Sequence, residues 1–580
     1  MSGPGAQRRA ISAIACAAAL MTGLVVAGCG SDESTQVTVP VLWAADQGNG
    51  KVQGGVEPAV VKVADSEDNP GFAVNLTDVK SKGAGEAWTA ASSSAAAVGT
   101  LASARSPRDI SIAFDITGAI DGPSGGAGLT VGVIAAARKV KLLDKVTITG
   151  TINPDGTVGV VSYIATKMRA AARDGYETIV IPSLVTNEYD PATGKRVNLR
   201  KLGRSLGLRV VPVELIGQAY STMTGERLFP VDPGARASLR PQVQAVTSRQ
   251  AHSAVGRLDT ELARTPSAPA SLDGQAQLAR RELAAGNYPG AYGVAVDTLQ
   301  GAWRSQTRAL TTGQQAAQAR RLATKAEELL ASGQRASQLN AEQQVTLPSA
   351  LGPAVLGSSL LAGIGADRDA DADSIAAARV AVELVAPDAV QAVRAYGSQP
   401  VTGDAARFLS GYTNFLIRAG DANLTYFEKV GASAAAGETY LPAAQALKEV
   451  VDKTPPGENP VDQEIVQSAR AFTYFLLTAS LVAAVPSSES QAAEVKDRDR
   501  ETLASAVAVG RLIAPLQGRG LDGGYPLWAA RWGTGGIQAL PGISEGADGA
   551  AQGYQQTAYS LITALLLTAA AREASEASAG

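Results

Sequence analysis

The feature that most constrains the fold of this chain is a change of texture near residue 230. Before it, short β-branched runs alternate with helical stretches; after it the strand signal stops. Residues 37–44 (VTVPVLWA), Ala59–Ala64 and Gly71–Leu76 read as strands separated by Gly, Asp and Asn. Ala84–Ala104 reads as an Ala/Ser-rich helix, Ile110–Phe114 as a strand, Gly126–Val140 as a helix and Val146–Ile152 as a strand. A tight turn at Asn153–Gly156 leads into Thr157–Val161. The helix Tyr163–Arg173 closes at Asp174-Gly175, Thr178–Ile181 is a strand ended by Pro182, and Leu208–Val213 is the last strand. This alternation predicts one α/β (α+β) domain over residues 37–229.

From 236 to 580 the spacing is helical, in segments such as Ala276–Ala285, Gln314–Leu330, Asp373–Leu384, Ala405–Arg418, Ile465–Ala484 and Arg500–Ile513. A large all-α region is therefore expected, with prolines at Pro348–Pro353 and Pro455–Pro460 read as breaks and a subdivision near 346–357. No repeat of ~34 residues is sustained. Aromatic residues make up only 5% and alanine is abundant, which favours closely packed helices with small side chains.

The first residues read as a leader. Arg8-Arg9 precede the apolar run Ala10–Val25, and Val26-Ala27-Gly28 places small residues directly before Cys29. This resembles the lipobox of bacterial lipoproteins, which implies a signal peptide over 1–28, acylation of Cys29, and a tether over 29–36. Its implied partner is the membrane, through a lipid anchor at Cys29, with the protein on the extracytoplasmic face. An ordinary secretory signal is the alternative. Beyond the leader, no stretch reaches ~18 uninterrupted apolar residues; Leu561–Ala571 comes nearest and reads as a buried helix.

Composition then narrows the chemistry. The chain has one histidine, His252, and two cysteines, Cys16 and Cys29, and Cys16 would leave with the signal peptide. A Ser/His/Asp triad would have to use His252, a Cys/His pair would need a surviving thiol, and multi-ligand zinc sites lack donors, so no metal or cofactor is expected. A hydrolase built from this chain would draw its base from a lysine or a carboxylate. The net charge of −3 offers no footprint for nucleic acid, and no Walker-type loop is present.

One constellation remains. Ser124 lies in Asp121-Gly122-Pro123-Ser124-Gly125-Gly126, where a strand-derived loop opens onto a helix. The glycines Gly122 and Gly125 permit a tight turn, and amides at a helix start can point at an oxyanion. Lys167 stands 43 positions on, from 124 to 167, on a helix with the apolar neighbours Ile164, Ala165, Met168 and Ala170. Burial can lower such an amine to ~7–8, where it can serve as a base.

The stretch from DGPSGG through Thr149-Gly150 and Lys167 to Ile181-Pro182 resembles the proteolytic domain of the Lon protease family, the Ser/Lys peptidases, and the likeness covers roughly 37–222. The family pattern is Asp-Gly-Pro-Ser-Ala-Gly, a strand ending in Thr-Gly-Glu, a lysine 43 residues after the serine, and a strand ending in Ile-Pro. Carried over, the resemblance implies Ser124 as nucleophile, Lys167 as general base, Thr149 as the lysine's hydrogen-bond partner, and Asp121 as a polarising acid. It also implies a protein or peptide substrate, and a homo-oligomeric ring. Two departures stand out: Thr151 replaces the glutamate of Thr-Gly-Glu, and Ser162-Tyr163 replaces paired glycines. Without the ATPase module of many relatives, the expected activity is ATP-independent cleavage of exported or unfolded proteins. The alternatives are a non-catalytic envelope scaffold or binding lipoprotein, and hydrolysis of a non-peptide ester or amide. His252 reads as an exposed or capping residue. Tyr525, Trp528 and Trp532, within the Gly-rich stretch 520–546, read as a long ordered connection or a binding loop.

Overall fold

Strand β1 (Thr35–Asp46) buries Val37, Val39 and Val41 on one face and Leu42 on the other, so both faces of the sheet must be covered. The structure, a computed structural model, describes residues 34–47, 51–66, 69, 71–118, 120–228, 237–333, 339–362, 371–395, 405–430, 435–454, 460–484, 498–518, 522–539 and 563. The leader, Cys29 and the stretch 564–571 lie outside them.

β1 pairs antiparallel along its whole length with β2 (Val52–Asp65), and β2 pairs antiparallel with β4 (Ile110–Ile116). The short β3 (Val74–Asn75) lies parallel to β4 at one edge. On the other side β1 runs parallel to β5 (Val146–Ile148), then β8 (Thr178–Pro182) and β11 (Arg209–Val213) follow, also parallel. The seven-stranded mixed sheet thus has the order β11-β8-β5-β1-β2-β4-β3. Two hairpins stand apart from it: β6 (Thr151–Ile152) with β7 (Val158–Gly159), and β9 (Asn187–Asp190) with β10 (Lys195–Asn198).

The α-helices of this part are α1 (Thr77–Ser81), α2 (Glu86–Ala102), α3 (Gly126–Ala137), α4 (Ile164–Arg173), α5 (Leu199–Ser205) and α6 (Ile216–Thr224). Every residue of α3 is buried, and its Gly128 and Gly132 let the backbone rest on Val39, Val41 and Val61. α4 covers the opposite face with Leu42, Ile179 and Ile181. α2 lies outside α3 and is itself buried at all but its first residue. Its small residues explain this, since Ser92, Ser93 and Ser94 can be enclosed from every side at little volume.

The layer that encloses α2 is the helical region. The helix Ala405–Val430 packs along α2, Phe415 meets Phe72 edge-on at 4.6 Å, and one hydrophobic cluster runs from Val39 and Trp88 through Phe415 to Phe472. Residues from 34 onward accordingly form one compact unit. Twelve α-helices are present beyond residue 237 among the described residues, so the predicted fold class, an α/β domain followed by an all-α region, is what the chain adopts.

Several local expectations are corrected. The strand over 146–152 is broken at Thr149-Gly150, and Gly71–Leu76 contributes only two strand residues. Pro348 and Pro353 do not end a helix; both lie inside Ala341–Ala362. An internal proline costs roughly 3 kcal/mol, and burial of Val345, Leu347, Leu351 and Val355 offsets it here. The tryptophan segment is a helix, Gly524–Ala539, rather than a loop. Its glycines are consumed by close packing: a Cβ on Gly293 of the helix Tyr288–Arg308 would come within 2.5 Å of the Gly536 backbone. Two helices, Glu342–Ala362 and Val461–Val482, have the length and composition to cross a membrane, but 83% and 89% of their apolar windows are buried in the protein.

Candidate active site

The site forms where the two faces of the sheet meet, at the C-terminal end of β5. Ser124 sits in a 3-10 turn (Pro123–Gly125) that feeds α3. Gly122 has φ 105°, a left-handed conformation that favours glycine, and a Cβ on Gly125 would lie 2.5 Å from the Trp88 ring. Both predicted turn glycines are therefore required by geometry. As an oxyanion donor Gly122 is engaged, because its amide donates to Asp121 Oδ1 at 2.8 Å.

From the opposite face α4 brings Lys167. Its side chain is buried (3% exposed), and Nζ donates to Thr149 Oγ1 at 3.2 Å. The Thr149 hydroxyl in turn reaches the Ser124 carbonyl oxygen at 3.5 Å, and the Gly150 amide donates to that same oxygen at 2.9 Å. Serine and lysine are thus fastened to one dipeptide, Thr149-Gly150. Ser124 Oγ itself has no hydrogen-bond partner among the described residues, a looseness common in unliganded sites. Burial pushes the Lys167 ammonium down from 10.5 to about 8, and the Glu188 carboxylate opposes that shift.

Glu188 was not legible as a site residue. It is buried on β9, with Oε1 accepting from the Ile164 amide at 3.0 Å and Oε2 from the Ala165 amide at 2.7 Å. It thereby caps the helix that carries the lysine, where a carboxylate meets the positive end of the helix dipole. Burial raises its carboxyl, while the Ala165 and Ile164 amides and the Lys167 charge hold it down. The family's glutamate position holds Thr151, whose Oγ1 lies so close to Gly159 that a Cβ there would sit 2.2 Å away. The carboxylate that acts on this lysine comes instead from a different element. The signal for it was the run Asn187–Asp190 followed by Pro191-Ala192-Thr193-Gly194, which reads as a hairpin with two acids on one face.

The second departure also has a structural consequence. Tyr163 takes φ 59°, ψ 33° just before α4, a left-handed conformation that a glycine adopts freely and a bulky residue does not. The Tyr163 amide adds to the influences that hold the Glu188 carboxyl down.

Asp121 lies at the rim rather than beside the lysine. Its Oδ2 pairs with Lys429 at 3.1 Å, and Lys429 belongs to the helix Ala405–Val430 of the helical region. Gly85 makes room for it, because a Cβ there would fall 2.1 Å from the Asp121 carboxyl carbon. On the same helix Tyr426 is pushed up to about 12 by burial and by the Asp121 charge. His252 is exposed and its Nδ1 lies 2.8 Å from the Ser248 carbonyl, well apart from this constellation in the helix Pro241–Ala263. Among the described residues no cluster of His, Cys, Asp or Glu could hold a metal ion.

A serine on a strand-to-helix turn, with a buried amine of lowered pKa fastened beside it, carries the functional groups of a hydrolase that uses lysine as its base. Comparison with known proteins gives the domain its place. Residues 53–193 match the Lon protease (S16) C-terminal proteolytic domain, and this part of the chain is a Lon-family proteolytic domain. Lon protease 2 of Bacillus subtilis (strain 168) is 27% identical over 163 residues, covering 28% of this chain. The chain spans 27% of that relative's length.

Proposed function

We propose that this protein is an ATP-independent, lipid-anchored serine endopeptidase on the extracytoplasmic face of the cell membrane, cutting exported or unfolded proteins with Ser124 and Lys167. The observation that carries the reading is the buried Lys167 Nζ, lowered to about 8 and held on Thr149 next to the Ser124 backbone. Neutral Lys167 takes the Ser124 proton as Oγ attacks the scissile carbonyl. The resulting oxyanion forms at the positive end of α3. Lysine then returns the proton to the leaving amine, and water, deprotonated by the neutral lysine, releases the acyl group and restores the serine.

Hydrolysis of casein by the mature protein, beside Ser124→Ala and Lys167→Ala, tests this. Cleavage by the parent and loss in both variants is the expected result; equal cleavage by all three would sink it. One feature favours the alternative of a non-catalytic envelope scaffold: Ser124 Oγ is not hydrogen-bonded to the lysine. A parent protein that neither cleaves casein nor reacts at Ser124 with a fluorophosphonate probe would support that alternative.

A further inference from the structure

Because β1, β5, β8 and β11 are mutually parallel, their N-terminal ends share one edge of the sheet, and the catalytic residues gather at the other. Thr35 lies six residues before Val41, the partner of Ile148, so about 20 Å of strand separates the start of β1 from the level of the site. At the N-terminal edge the loop Arg138–Lys145 exposes Arg138, Lys139, Lys141 and Lys145 against a single acid, Asp144. The apolar Leu143 is 48% exposed at its centre. Arg204 and Arg209 are exposed beside the neighbouring turn, where Glu177 pairs with Lys145 and Asp174 with Arg173. Asp65 at the end of β2 is matched by Arg105. Basic side chains thus outnumber acidic ones on this edge, and its net charge is positive. Lys139 and Lys145 both take left-handed backbone conformations, φ 57° and 59°, so the loop is held in an uncommon shape. A groove of about 740 Å³ runs from this loop to Thr35 and Gln36.

We propose that this edge is a docking face for an anionic bilayer, with Lys139, Lys141 and Lys145 on lipid phosphates and Leu143 in the headgroup layer. The inference rests on the lipid-anchor reading for its geometry. Cys29 precedes Thr35 by six positions, a reach of at most about 20 Å when extended, so an acylated Cys29 would bring this edge to the surface first. Basic residues near an anionic surface add to binding, and one acyl chain alone gives only marginal binding, so a basic face is the second signal that stable attachment needs. The catalytic turn would then point away from the membrane.

Flotation with vesicles separates the two claims. A chain starting at Gly30 keeps the compact unit Ser34–Gly580 and lacks the anchor. It is expected to float with phosphatidylglycerol vesicles at 50 mM salt and not with phosphatidylcholine vesicles. The double variant Lys139→Glu/Lys141→Glu should weaken binding at least tenfold, and Leu143→Asp about threefold. Equal behaviour on both lipids, or no effect of the charge reversal, overturns the docking face whatever the anchor does. The full mature protein carrying Cys29→Ser tests the anchor by itself in membranes washed with high salt, which screens the basic face: undiminished retention there would overturn the anchor reading and leave the vesicle result standing.

Discussion

Lys167 gives the site a pH dependence whose direction can be worked out. With a pKa of about 8, roughly a tenth of the amine is neutral at pH 7 and roughly nine tenths at pH 9. Under the proposed mechanism kcat/KM rises about tenfold per pH unit below 8 and levels above it, measured with a quenched peptide. Folding follows the same shift. The unfolded chain keeps this proton up to about 10.5 and the folded chain releases it near 8, so burial costs on the order of 3 kcal/mol at pH 7. That cost fades as pH climbs from 8 to 10.5, and stability rises across the window. Glu188 sets the position of the limb. Glu188→Gln removes the charge that favours the ammonium form, so the rise in kcat/KM should move to lower pH, while the lost helix cap costs about 1–2 kcal/mol in a urea titration. An unmoved limb would mean that Glu188 is a cap only. Tyr163→Gly should stabilise the chain by about 1 kcal/mol, because glycine accepts the left-handed conformation without strain.

At the scale of elements, the hairpin β9–β10 works as a clamp on α4. Alternate residues of β9 face the helix: Glu188 holds its first amides, and Asp190, fully buried, pairs with Arg169 two residues after the lysine at 2.6 Å. Asp190→Ala removes the carboxylate that accepts from Arg169, the Ala192 amide and the Thr193 hydroxyl and should cost about 2 kcal/mol, read as a fall in the urea midpoint. This hairpin was the element least legible in the sequence, marked only by its turn residues. Its residues Asn, Glu, Lys and Arg lack a strand's usual β-branched signature, and its packing is decided by ion pairs with a helix distant in sequence. The serine turn, Lys167 and the alternation around them were legible from local chemistry, glycine at a left-handed turn and apolar spacing around the amine, whereas Thr149 entered only through the family resemblance. Gly293 and Gly536 show the opposite limit. In sequence Gly536 belongs to a glycine-rich stretch that reads as a connection or binding loop, while in the fold the two glycines permit contact between two helices. Gly536→Val should cost about 3 kcal/mol, by overpacking against the helix Tyr288–Arg308.

Across the whole molecule the proteolytic domain and the helical region share one core. α2 is covered on one side by α3 and on another by the helix Ala405–Val430, so the helical region completes a surface that the sheet alone leaves open. A chain ending at Gly225 would expose Phe72 and the outer face of α2, and it is expected to be insoluble or to bind 8-anilinonaphthalene-1-sulfonate strongly. A soluble, cooperatively unfolding fragment would refute the shared core. Lys429→Ala, by contrast, removes only an exposed pair with Asp121 and should change stability by less than about 1 kcal/mol. The enclosure of α2 has one more consequence. Under the proposed function the protein would always be in the presence of a cleavable chain, its own, and the segments within its reach would be those that open within the lifetime of the folded state. With α2 sealed between two halves, opening it requires both to separate, so its amides should exchange with solvent among the slowest. Self-digestion, on that reading, would leave α2 intact longest.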